Sequence, residues 1–298
     1  MKYEPEVWRK AYREAGFVVI PDLLDLGTLS ALRDGMERIT QDVESLPAHL
    51  REKIFFERDH LKNNPQWYAG KLTPEECGGR VRQIADLALF GPAFAELICY
   101  PPLLDVLEAL FESPEFSFTL LVGRPKAAHV GNGVNNGNFH RDTPHQNYTS
   151  ANVVQAILCL DGMTAENGPT AFIPGSHKVS DEEAGKMCWG NVAAESLSLE
   201  RKIVACCPAG SGVFFTSKIL HAAGHNRSDR PRRTINAEWA GPGVLPTSPA
   251  RFAYQGLKPR SRDPRRGEWE TTGGTHTGEA RTTSFPVPHM ISSPAHPS

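Results

Sequence analysis

The stretch "NFHRDTPHQN" (residues 138–147) sets an imidazole and a carboxylate two residues apart, at His140 and Asp142. On an extended strand, residues i and i+2 face the same side, so both groups would aim at one point. One more imidazole would complete a facial set of three ligands, the arrangement that holds Fe(II) and leaves its other positions free. On its own the pair is a weak signal in a chain with 11 histidines, where a surface histidine beside a turn-capping aspartate is the common case. The later stretch "SGVFFTSKILHAAGHN" strengthens it. His221 ends an apolar strand whose alternate residues Val213, Phe215, Ser217 and Ile219 read as an inward face. His145 and His177 read as loop or pocket-rim residues, and His225, beyond Gly224, as a solvated loop histidine.

An arginine on a later strand could grip the far carboxylate of a 2-oxo acid with its planar fork. The sequence offers Arg232 and Arg233 in "DRPRRTINAEW". Alternation puts Arg232 on the face of Thr234, Asn236 and Glu238, and Arg233 on that of Ile235, Ala237 and Trp239. The pattern alone does not choose between them.

These groups need a scaffold. Residues 5–15 have helical spacing, "GFVVIPDLLD" reads as a strand closed by Pro21, and 26–45 as a second helix started by Asp25. Residues 46–80 read as charged and irregular, and helical patches are expected around 81–99 and 101–112. From residue 116 the chain changes to short β-rich segments, among them "FSFTLLVG", "VVQAILCLDG", "TAFIPGS" and "RTINAEWAG", broken by Gly, Pro, Asn and Asp. Such spacing predicts a sandwich or barrel, and helices before strands make an α+β chain.

The chain of 298 residues is long enough to bury a substantial core. A formal net charge of -2 argues against nucleic acid or an anionic membrane as partner. No apolar run approaches the roughly 20 residues of a membrane span, and the charged N-terminus does not read as a signal peptide. Six cysteines without C-x-x-C spacing suit a reduced, cytoplasmic protein.

Taken in order, "AGFVVIPDLL", "FHRDTPHQ", "NGPTAFIPGSHK", "PAGSGVFFTSKILHAAGHN" and "DRPRRTIN" resemble the phytanoyl-CoA dioxygenase-like branch of the Fe(II)/2-oxoglutarate oxygenases, over most of residues 10–240. The resemblance implies a double-stranded β-helix (a cupin-like jelly-roll, about residues 116–242) with N-terminal helices packed on one sheet. A single domain over 1–256 would be followed by a Pro/Gly/Arg-rich tail, 257–298, that could act as a lid. It implies that His140, Asp142 and His221 bind Fe(II). The 2-oxoglutarate arginine of the family falls eleven residues after the second histidine, which points to Arg232. Thr170 matches a position that contacts the same carboxylate, and Asn138 and Gln155 are further co-substrate candidates. Halogenases of the superfamily carry Gly or Ala in place of the carboxylate, so Asp142 favours hydroxylation.

The expected substrate is a small organic molecule such as a natural-product intermediate, oxidised by O2 with release of succinate and CO2, in a monomer or homodimer. Its walls would come from 46–80, the loop 131–138 and the stretch 181–196. Two other classes use similar parts. A jelly-roll binding module needs neither three ligands nor the arginine, and a zinc hydrolase on the same two-His-one-Asp set needs a general base but no arginine.

Overall fold

Pro5 supplies the fixed φ that suits a first helical turn, and helix α1 (Pro5–Ala15) begins there. Gly16, at φ +89°, closes it in a left-handed cap, its amide donating to the Tyr12 carbonyl. The chain then enters strand β1 (Phe17–Ile20). Asp25 caps helix α2 (Leu26–Gln41) by accepting from Thr28 N at 2.9 Å, and Leu29, Leu32, Met36 and Ile39 bury its apolar stripe. The computed structural model describes residues 1–63, 73–130, 139–142, 148–180, 182 and 201–260.

The segment expected to be irregular contains α3 (Ala48–Arg51), β2 (Ile54–Phe56), α4 (Glu57–Asn63) and α5 (Pro74–Cys77). The helical patch expected from 81 opens instead with strand β3 (Val81–Ile84), followed by α6 (Pro92–Glu96). Four residues are too few to show a period. A bulge also hides it: Phe55 pairs with Gln83 and Phe56 with Val81, which leaves Arg82 as the extra residue. Helix α7 (Pro101–Phe111) starts at its paired prolines.

The remaining strands are β4 (Ser117–Lys126), β5 (Val153–Cys159), β6 (Thr170–Phe172), β7 (Ile203–Val204), β8 (Gly212–Thr216), β9 (His221–Ala223) and β10 (Arg232–Ala240). A seven-stranded sheet runs β1-β8-β5-β10-β4-β3-β2, and a three-stranded sheet runs β7-β6-β9. All registered pairs are antiparallel. With helices added, this is the α+β double-stranded β-helix.

Alternation along β10 divides the molecule into two environments. Ile235, Ala237 and Trp239 face outward into the main core, with Leu32, Met36 and Leu107 of the helices. Between the sheets, a second core joins Phe17, Ile157, Val213 and Phe215 to Phe172 and Ile219. The apolar run "SGVFFTSKILH" is not one strand. It turns at Ser217–Leu220, so β8 lies in the large sheet and His221 opens β9 in the small one.

Residues 257–260 stay attached to the body. Leu257 O accepts from Phe118 N at 2.8 Å, and Arg260 pairs with Asp105 and Glu108 of α7. The lid expectation for the tail falls on 261–298, outside the described residues. Among the described residues, no helix is long and apolar enough to cross a membrane.

Candidate metal centre

His140 joins the small sheet at a single bridge to His221. Each backbone amide donates to the other's carbonyl at 3.0 Å. That reciprocal pair sets the two imidazoles side by side, with ring centroids 4.3 Å apart. Two residues on, Asp142 N donates to Ser217 O at 3.1 Å, at the corner where the chain passes from β8 to β9. Ser217 is fully buried and anchored to β5, its amide on Val153 O and its hydroxyl on Ala151 O. The i, i+2 geometry thus holds locally, although Asp142 lies in a bend rather than a strand. Arg141, between them, turns the other way and donates to the Ser176 and Val179 carbonyls.

The ligand-type atoms of His140, Asp142 and His221 all lie within 4.8 Å of one another. Both His140 Nε2 and His221 Nε2 lie 3.6 Å from Asp142 carboxylate oxygens, one on Oδ1 and the other on Oδ2. His221 Nδ1 sits 3.1 Å from Ile219 O, a contact that fixes the proton on Nδ1 and leaves the Nε2 lone pair facing the cluster. Gln155, in the middle of β5, donates from Nε2 to Asp142 Oδ2. The donor set is therefore pre-formed, with a tautomer and a carboxylate orientation already held by neighbours. Two imidazoles and one carboxylate fit a divalent iron.

The two arginines of β10 have separate fates. Arg233 grips Asp161 with two parallel bonds, Nε to Oδ2 and a terminal nitrogen to Oδ1, each 2.9 Å, and also reaches Glu37 of α2 at 3.6 Å. Arg232 is 4% exposed on the inner face, and its one hydrogen bond among the described residues goes to Met163 Sδ at 3.2 Å. Its Nε has no partner there. Burial lowers its pKa, with Cys159 and Asp161 opposing that pull. A buried guanidinium without a carboxylate is costly unless an anionic ligand completes it.

Thr170 is buried at the head of β6, opposite Ala223 of β9. Gly168 and Gly224 let those two strands approach there: a Cβ on Gly168, at φ +76°, would meet Gly224 O at 2.6 Å. Asn138 and His145 lie outside the described residues. His177 is on the far side, with Nε2 3.1 Å from Arg13 O of α1. Sequence reasoning missed Arg124 and Lys126. Both lie on the inner face of β4, and Lys126 pairs with Arg232 while Arg124 pairs with Thr234. The alternation in "GRPK" marks them once β4 is known to lie beside β10.

A double-stranded β-helix holding two imidazoles and a carboxylate between its sheets, with a buried arginine on the same inner face, defines the class of non-haem iron, 2-oxoglutarate-dependent oxygenases. The family model described as phytanoyl-CoA dioxygenase (PhyH) matches residues 12–234, and the chain belongs to that family. It is an Fe(II)- and 2-oxoglutarate-dependent dioxygenase, using O2. The dioxygenase cdmA of Talaromyces verruculosus is 23% identical over 78% of this chain and 71% of its own. A probable phytanoyl-CoA dioxygenase of Caenorhabditis elegans is 22% identical over 78% of this chain and 74% of its own. The solved epimerase SnoN, in complex with Fe3+, alpha ketoglutarate and nogalamycin RO, shares the fold. It superposes with a TM-score of 0.62 over 88% of this chain and 93% of its own, at 20% identity.

Proposed function

We propose that His140, Asp142 and His221 hold the Fe(II), that Arg232 anchors the far carboxylate of 2-oxoglutarate with Thr170 beside it, and that the enzyme hydroxylates a C–H bond of a small organic molecule. The observation that carries this reading is the pairing of a pre-formed three-ligand cluster with a buried arginine that has no carboxylate partner among the described residues. When bound, iron and 2-oxoglutarate together reduce O2, yielding succinate, CO2 and a hydroxylated product. The chain's residues do the positioning. Ile219 O orients His221, Gln155 orients Asp142, and the Phe172, Phe215 and Ile219 core behind His221 keeps water away from that side.

A carboxylate at position 142 occupies the place a halide would need, which supports hydroxylation over halogenation. The fold shared with SnoN, which was solved in complex with nogalamycin RO, supports a natural-product intermediate as substrate.

The test is an anaerobic titration of metal-free protein with Fe(II) and then 2-oxoglutarate, followed by the visible charge-transfer band of the chelate. One equivalent should produce the band in the wild type, and His221→Ala should lose it while keeping its circular dichroism. Iron binding without a band in the wild type, or an undiminished band in His221→Ala, would contradict the assignment.

A further inference from the structure

Among the described residues, and with Glu238 held partly protonated by burial, the inner face carries more positive charge than the reaction's cofactors can use. Dianionic 2-oxoglutarate, Fe(II) and the Asp142 carboxylate together leave one negative charge, and Arg232 balances it. Arg82 is met by the buried Glu57 of α4, with its terminal nitrogen 3.4 Å from Oε2. Lys126 places its ammonium on the Gly224 and Gly168 carbonyls. The Arg124 side chain has no hydrogen bond or ion pair among the described residues.

Arg124 is also placed where a ligand could reach it. It projects from β4 opposite Thr234, on the face that carries Arg232, and the residue is half-buried, with protein around its guanidinium. Enclosure and the neighbouring Arg82 push its pKa down to about 10, while Glu57 and Asp142 pull the other way. The bulge that makes Arg82 the extra residue of β3 turns that side chain out of the outward alternation of Val81 and Ile84, toward Arg124. His60, on α4 beside both arginines, adds no positive charge near neutral pH, since burial holds its pKa at about 4. The segment read as irregular from sequence is thus the wall that supports this cationic corner.

We infer that the organic substrate carries an oxyanion, a carboxylate or a phosphate, and that Arg124, flanked by Arg82, grips it on the β3–β4 side of the iron site. Arg124 is a specificity-determining residue: its fork can take such a group bidentately, and the neutral counterpart of that substrate would leave the guanidinium unmet. The inference rests on the reading of Arg232 as the 2-oxoglutarate anchor.

The experiment uses anaerobic protein loaded with Fe(II) and 2-oxoglutarate, and matched probes: phenylacetate with phenylacetamide, and octanoate with octanamide. Perturbation of the chelate band is followed as each is added. Absence of the band before any probe is added counts against the iron and 2-oxoglutarate reading itself, not against Arg124 alone. With the band present, the acids should perturb it at concentrations at least about tenfold lower than the amides. Arg124→Gln should erase that preference, and Arg124→Lys should keep part of it. Three outcomes overturn the inference: acids and amides acting alike or neither acting, a preference that survives Arg124→Gln, or an Arg124→Gln loss of 2-oxoglutarate affinity as large as that of Arg232→Ala. The last would make Arg124 a co-substrate contact.

Discussion

Arg232 and Arg233 are neighbours on one strand, yet they belong to different parts of the protein. Arg233 faces the helices and is matched by Asp161 and Glu37. Arg232 faces the space between the sheets, and among the described residues its side chain's one hydrogen bond goes to a thioether. The same contrast runs along β10: Ile235, Ala237 and Trp239 complete an apolar core, while Thr234, Asn236 and Glu238 line the side that holds the cluster of His140, Asp142 and His221. On the outer face Arg233 is matched by acidic side chains, and the apolar residues pack against the helices. On the inner face Glu238 is met by Thr119 and Tyr148, but Arg232 is buried without a carboxylate partner among the described residues, a cost that an anionic ligand would offset. Stability is therefore expected to reside mainly in one face and chemistry in the other.

Mutations on the two faces should separate those roles. Trp239 is fully buried and packs edge-on against Phe118 at 6.0 Å, so Trp239→Ala should lower the unfolding free energy by about 3–5 kcal/mol in a denaturant titration. Asp142→Ala, on the inner side, should abolish 2-oxoglutarate turnover with the denaturation midpoint nearly unchanged. A large stability loss in Asp142→Ala, or turnover lost through unfolding alone, would blur the division between the faces.

A smaller effect probes the cationic wall. His60 has a folded pKa of about 4, below its usual 6.5, because burial, Arg82 and Arg124 all disfavour the imidazolium. The unfolded chain takes up that proton first, so stability is present above about pH 6.5 and is lost as the pH falls toward 4. In metal-free protein, His60→Gln should flatten that decline by about 1 kcal/mol, discounted for the partial exposure of the ring. An unchanged pH dependence would mean that neither burial nor the arginines hold the His60 imidazole neutral.

The ligand cluster was legible in the sequence because its signal is local: His140 and Asp142 lie two apart, and His221 closes an apolar run. Alternation also sorted Arg232 and Arg233 onto opposite faces, while the choice between them came only from the family resemblance. Other features were hidden for physical reasons. From Val213 to Leu220 the alternate residues Val213, Phe215, Ser217 and Ile219 are all buried, so the period runs on through the polar corner Thr216–Lys218 and two strands read as one. Strand β3 is four residues long with a bulge, too short and irregular for a period. Arg124 and Lys126 gain meaning only from the pairing of β4 with β10, which links segments about a hundred residues apart.

The most direct test of the two-faced account is the dissociation constant of 2-oxoglutarate from the Fe(II) protein in Arg232→Ala and Arg233→Ala. Arg232→Ala should weaken binding by roughly tenfold or more, as expected for loss of a charge-assisted bidentate contact worth about 1.5–3 kcal/mol. Arg233→Ala should change it less than about twofold while lowering stability slightly. Equal effects, or a larger effect from Arg233→Ala, would contradict the division of labour between the two faces.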